Sequence, residues 1–177
     1  MEFSKLIEVR QSCRKFSAEK VENEDILACL EAFRLSPSAC NAQPYHISVC
    51  TGEKAAAVSE CVNSMGMNPF AKNVPCFFVI REDSYSAAAA LGGLIKGQDY
   101  RSIDIGIAAA HLVLCAADRG LNTCILGWFD EKKLKKLLGT SDRIRLVIAL
   151  GRAAEGYPIR PKVRKSIKQI SDFDNGK

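Results

Sequence analysis

The sequence predicts a mixed β-sheet covered by helices, built as one domain over residues 1–177. Segments with helical spacing alternate with strand-like segments, so a sheet lying between helices is the natural arrangement. Cys76-Phe77-Phe78-Val79-Ile80 is continuously apolar, as suits a strand buried on both faces. A chain of 177 residues, 47% hydrophobic and 25% charged, is enough for one ordinary globular core, with no internal repeat and no linker long enough to divide it.

Phe3, Leu6, Ile7 and Val9 predict a short helix over 3–9, and a loop follows over 10–16. Asn23 is read as an N-cap, with Glu24 and Asp25 favoured in the first turn. Ile26, Leu27, Leu30 and Phe33 then recur at helical spacing. That helix must stop before Pro37. Residues 45–51 read as a strand closed by Gly52, 53–64 as helix, and 65–75 as a loop. The apolar strand 76–80 comes next, then a helix over 85–96. Ser102 is expected to cap a long helix from 103 to about 119, stopped by Gly120 at its C′ position. Residues 122–126 form a short strand turned by Gly127. Asp130 caps a helix with Leu134, Leu137 and Leu138 as its buried stripe, stopped by Gly139. A last strand spans 145–151. Beyond Gly151 the chain turns polar and is punctuated by Pro158 and Pro161, so 152–177 reads as an extended arm.

No uninterrupted apolar run approaches the length of a membrane span, and no membrane association is expected. The start, Met1-Glu2-Phe3-Ser4-Lys5, lacks the basic and apolar parts of a signal peptide, so a cytoplasmic address is the default expectation. The eight cysteines show no CxxC spacing and only two histidines accompany them, which argues against a zinc site. They read as reduced thiols acting as small hydrophobes. His46 and His111 read as packed polar residues. The net charge is +5, with basic residues gathered at both ends: Arg10, Arg14 and Lys15, then Arg160, Lys162, Arg164, Lys165 and Lys168. Nucleic acid, a phosphate-bearing small molecule or plain solvation are each compatible with that distribution.

Arg10-x-Ser12-x-Arg14 sets three polar groups at period two, on one side of an extended segment. Two guanidiniums and a hydroxyl suit phosphate oxygens, and Lys162-x-Arg164 repeats the pattern at the other end of the chain. Together they could clamp one phosphate. No GxGxxG follows a strand and no P-loop occurs, so a Rossmann or P-loop nucleotide site is not supported. Pro37-Ser38-Ala39-Cys40-Asn41-Ala42-Gln43-Pro44-Tyr45-His46 is a polar turn stiffened by two prolines between a helix and a strand, a good place to meet a ligand.

These motifs carry a resemblance. Arg10-Gln11-Ser12-Cys13-Arg14-Lys15-Phe16, the turn 37–45, the strand and turn 120–130, and Ala149-Leu150-Gly151 with Arg160-Pro161-Lys162-Val163-Arg164-Lys165 resemble, in that order, the signatures of the nitroreductase family of FMN-dependent oxidoreductases. The resemblance implies an α+β fold, a mainly antiparallel mixed sheet flanked by helices, with the C-terminal arm exchanged in a homodimer. It implies FMN as cofactor, NAD(P)H as electron donor and a small-molecule electron acceptor such as a nitroaromatic or quinone, reduced by ping-pong turnover. Arg10, Gln11, Ser12, Lys162 and Arg164 would surround the FMN phosphate, and Arg14 would lie near the pyrimidine edge of the flavin. Pro37, Ser38, Ala39 and Asn41 would come from the partner subunit. Leu126 and Gly127 would present backbone near N5, and Asn68 would reach the flavin. No side chain need be a catalytic acid or base, because the cofactor carries the chemistry.

Two residues depart from the family pattern. Gln11 stands where a basic residue is frequent, which would weaken phosphate binding slightly. Cys40 stands where small or hydroxyl residues are usual; it is expected to line the flavin pocket beside Arg10 and Arg14 as an inert filler. The segment between residues 80 and 102 is short, so the site should be open, which argues against activities that need a lid, such as dehalogenation. Two other readings stand beside the nitroreductase one: an FMN protein with a different small-molecule reduction, and a nucleic-acid-binding protein that uses its basic arms.

Overall fold

The computed structural model describes residues 1–84, 95 and 97–172. The helix expected over 85–96 falls, except for Ile95, outside the described residues. The elements run α1 (Phe3–Val9), α2 (Asn23–Arg34), β1 (Tyr45–Thr51), α3 (Gly52–Val62), β2 (Cys76–Glu82), α4 (Tyr100–Asp118), β3 (Asn122–Leu126), α5 (Glu131–Leu138), β4 (Ile144–Gly151) and α6 (Ile167–Ile170). Three short 3-10 turns, Ala39–Asn41, Ser64–Gly66 and Pro69–Asn73, punctuate the loops.

The four strands form one sheet in the order β1-β2-β4-β3, and every neighbouring pair is antiparallel. Among the described residues, parallel pairing is confined to an isolated bridge between Ser12 and Thr123. The sheet is therefore antiparallel rather than mixed, apart from that bridge.

β2 is buried as its composition demands. Phe77 and Val79 join Val147, Ala149, Cys124 and Leu126 in the core on one face, beneath α3 and α5. Cys76, Phe78 and Ile80 join Ile148 and Leu150 on the other face, beneath α2 and α4. Because side chains alternate along a strand, a strand covered on both sides must be apolar at every position. Burying each of the large side chains contributes about 1.5–3 kcal/mol.

α4 is an apolar core helix. Ile105, Ala108, Ala109, Leu112, Val113 and Ala116 are buried against the sheet and α2. By length and composition alone this helix is long and apolar enough to cross a bilayer, a point the reading of uninterrupted apolar runs missed. In the fold its apolar face is spent on the protein core.

Several caps differ from expectation. α4 starts earlier than expected: Asp99, not Ser102, is its N-cap, and the Asp99 carboxylate accepts from the Ser102 backbone N–H at 3.2 Å. Asn23 lies inside α2, and the preceding Glu22 makes no side-chain cap. Asp130 does cap α5, accepting from Lys133 N–H at 3.0 Å, and Gly139 ends it in the left-handed region. Both histidines are exposed rather than packed. Gly151 is required by closeness: a Cβ there would come within 2.8 Å of the Pro75 ring.

Candidate functional site

The segment 10–16 is laid against the sheet. Cys13 N–H donates to Thr123 O (2.8 Å), Ala154 N–H to Lys15 O (2.9 Å), and Phe16 bridges Ala153. Gln11 and Cys13 are buried while Arg10, Ser12 and Arg14 are left on the outer side, as the spacing requires, and the alternation ends before the buried Phe16.

The proximal arm folds back onto this segment within the same chain. Arg14 N–H donates to Tyr157 Oη at 3.1 Å. Gln11 Nε2 donates to Pro158 O at 2.8 Å, and Gln11 Oε1 accepts from both Arg160 N (3.1 Å) and Arg160 Nε (3.2 Å). Arg160 Nη2 donates to Ser12 O at 2.5 Å, and Lys162 Nζ donates to Arg10 O. These contacts create a cleft of about 290 Å³ lined by Arg10, Gln11, Ser12, Arg14, Arg160, Pro161, Lys162, Val163 and Arg164.

Five cations and one hydroxyl thus face a single cleft. Among the described residues, none of the five has a carboxylate partner. The Lys162 ammonium is held below the usual lysine value, first by desolvation and then by Arg10, Arg164 and Arg160. A cluster of like charges with no acid among them fits an anion carrying two negative charges, and a terminal phosphate has that chemistry. Arg160 was read from the sequence as part of the basic arm but given no place in the site, and Tyr157 was not singled out. Continuing the period-two pattern backward, Arg160-x-Lys162-x-Arg164, would have found the arginine.

The turn after α2 is built on a different anchor. Ala39 N–H donates to Asp104 Oδ1 at 3.0 Å, and Asp104 on α4 is only 2% exposed, its other oxygen having no partner among the described residues. Ser38 Oγ accepts from Gln43 N–H (3.0 Å), and Gln43 Nε2 donates to Asn41 O (3.0 Å) and Asn41 Oδ1 (3.2 Å). Cys40, Asn41 and Gln43 all have positive φ, at 52°, 53° and 47°. Three non-glycine residues in that region within four positions are stored strain, the kind that accumulates where a surface is shaped for a ligand. Cys40 is exposed. The hydrogen bonds of its turn run to Asp104 and within the turn itself, while the backbones of Arg10 and Arg14 are bonded to the arm.

At the end of β3, Leu126 is buried and Gly127 exposed, and a Cβ built on Gly127 would meet nothing within 4 Å. Trp128 follows, half-exposed. Its indole N–H donates to Ser64 O at 3.2 Å, and its carbonyl accepts from Asn68 Nδ2 at 3.4 Å. Asn68 also donates to Val62 O at 2.8 Å. The structure therefore brings Asn68 to the turn that holds Gly127. It gathers Arg10, Gln11, Ser12, Arg14, Lys162 and Arg164 in the cleft, and it holds Pro37, Ser38, Ala39 and Asn41 in a separate turn against α4.

The nitroreductase family model matches residues 7–65 and 53–152. The chain is 26% identical over 168 residues to an iodotyrosine deiodinase of Thermotoga neapolitana, covering 89% of each chain. It is 28% identical over 159 residues to an Archaeoglobus fulgidus protein whose name provisionally assigns NADH dehydrogenase or NAD(P)H nitroreductase activity, covering 87% of this chain and 84% of that one. Its fold is shared with a provisionally named nitroreductase of Exiguobacterium sibiricum solved in complex with FMN, at a TM-score of 0.80, 20% identity and 98% coverage of both chains.

Proposed function

This chain belongs to the nitroreductase family, and from that premise we propose that it is an FMN-dependent oxidoreductase passing electrons from NAD(P)H to nitroaromatic, quinone or similar small acceptors. The observation that carries the reading is the cleft in which Arg10, Ser12, Arg14, Lys162 and Arg164 converge without an acidic partner. Arg10, Ser12, Lys162 and Arg164 hold the terminal phosphate, with Gln11 beside them. Arg14 would lie toward the pyrimidine edge of the bound flavin, where a guanidinium would favour negative charge by an amount set by local dielectric. Leu126 and Gly127 offer backbone beside open space, and Asn68 is held next to them through Trp128 O. When bound, FMN supplies the redox chemistry, taking a hydride from the nicotinamide and delivering electrons to the acceptor. The protein's part is binding and electrostatics, so no side chain acts as acid or base.

A homodimer completes this reading, with Pro37, Ser38, Ala39 and Asn41 contributed by the partner subunit. It is supported by the apolar side chains that the single chain leaves open along the distal arm: Val163 is 88% exposed, Ile167 64% and Ile170 65%. Such a run needs a cover that one chain does not provide. A second FMN reading has one observation in its favour, the deiodinase relative: the acceptor would then be a halogenated phenol.

Absorbance and mass analysis of the heat-released cofactor, followed by NADH- and NADPH-driven turnover with a nitroaromatic, a quinone and an iodophenol, decides among these. A yellow protein releasing FMN, sedimenting near twice 19.4 kDa, is expected. FAD, or no flavin even after reconstitution, sinks the proposal.

A further inference from the structure

We propose that Gln11, a neutral side chain, latches Arg160 and Pro158 in place and so assembles the phosphate clamp, which makes Gln11 a positioning residue. The inference rests on the flavin reading above but concerns this chain's own departure from the family pattern. Between Gly156 and Ser166 the arm has no helix or strand to hold it. What holds it is a short set of polar bonds, and one amide makes three of them. Gln11 Oε1 accepts from Arg160 N and Nε, and Gln11 Nε2 donates to Pro158 O. Gln11 as a residue is 7% exposed and its bonds are part-buried, so water does not easily replace them. Arg160, held at Nε, turns Nη2 onto Ser12 O.

Bringing the arm here is electrostatically unfavourable. Arg160, Lys162 and Arg164 share one cleft with Arg10, and the lowered Lys162 value records desolvation together with repulsion from the three arginines. Repulsion among these cations opposes the closing of an empty clamp, so the hydrogen bonds that hold the arm must outweigh it. A residue that both accepts from Arg160 and donates to Pro158 O supplies such bonds without adding charge, and the Gln11 carboxamide does both. Glutamate would lose the donor and put a negative charge against the phosphate. Arginine or lysine would lose the acceptor and add repulsion. The glutamine therefore strengthens phosphate binding through Arg160, where the sequence reading expected it to weaken the site.

The test uses the full chain, stripped of cofactor, with FMN, riboflavin and inorganic phosphate as probes. Riboflavin lacks the phosphate, so general loosening moves both flavins while loss of the clamp moves FMN alone. Gln11→Ala and Arg160→Ala should each weaken FMN by about tenfold or more, the scale of a lost charge-assisted contact. Riboflavin affinity should stay within about twofold of wild type, and the double variant should be no worse than the weaker single one, because the pair acts as a unit. Equal losses for FMN and riboflavin, or an unchanged ratio, overturn the latch. Inorganic phosphate separates this claim from the flavin reading. A wild type that binds neither flavin yet melts higher with phosphate, an increment lost in Gln11→Ala, supports the latch and fails only the flavin. The same increment in both proteins, or none in wild type, sinks the latch.

Discussion

Cys40 shows how much a single residue is asked to tolerate in this fold. Its φ of 52° places a Cβ in the left-handed region, which costs an ordinary side chain about 1–2 kcal/mol. The turn is held in that shape by the Asp104 carboxylate on Ala39 N–H and by Ser38 Oγ on Gln43 N–H. The exposed thiol gains no burial in return. Cys40→Gly is therefore expected to stabilise the protein by about 1 kcal/mol, read as a raised urea midpoint at constant slope, and Cys40→Val to destabilise it, since a β-branched side chain fits the region worst. Cys40→Ser should leave stability and FMN affinity near wild type. A glycine variant less stable than wild type would mean that the thiol makes contacts worth more than the strain.

Among the elements, the arm is where charge decides behaviour. Lys162→Ala with Arg164→Ala should weaken FMN by about two decades, because each charge-assisted contact to a phosphate is worth roughly 1.5–3 kcal/mol. Lys162 also gives the site a pH signature. Its folded pKa is depressed below 10.5, first by desolvation and then by Arg10, Arg164 and Arg160, so it loses its proton before an ordinary lysine does. FMN affinity should fall as pH rises through that window, and Lys162→Ala should abolish the step; an unaltered profile in the variant would remove Lys162 from the clamp. The elements themselves were largely legible in the sequence. β1, β3 and the Asp130-to-Gly139 limits of α5 follow from alternation, caps and glycine, which are local signals. What was not legible depended on distant partners. Gln11 looked like a weakened phosphate ligand because its partners, Pro158 and Arg160, lie about 150 positions away in the chain. The part played by Asp104 was not legible because Ala39, whose N–H donates to it, belongs to another element. The Asp99 cap was missed because Ser102, which it bonds, is itself a good capping residue.

At the scale of the whole molecule, the unusual feature is a core stocked with thiols. Cys13, Cys29, Cys50, Cys61, Cys76 and Cys124 are buried and Cys115 is half-buried, and no two are joined. They are spread over both faces of the sheet, so they act as small core residues rather than as a site. All seven are pushed above the ordinary thiol value of 9.0, in each case chiefly by desolvation, and Cys29 and Cys76 are pushed up to about 12. In the unfolded chain these thiols ionise near 9.0, whereas in the fold they keep their protons. The folded state then binds more protons than the unfolded state, so stability is fully present below pH 9 and is lost as pH rises from there toward 12. Each fully shifted thiol costs about 1.4 kcal/mol per pH unit in that window. Two or three such groups remove about 3–8 kcal/mol over one to two pH units, a large part of a total of about 5–15 kcal/mol. The expected outcome is a urea midpoint that is flat between pH 7 and 8.5 and then falls steeply. The slope above pH 9 should be shallower in Cys76→Ala than in wild type, whatever that substitution costs at neutral pH, because the cavity term does not depend on pH. Parallel slopes for wild type and Cys76→Ala would show that the Cys76 thiol ionises alike in both states, and the alkaline limit of this fold would then have to come from groups other than its thiols.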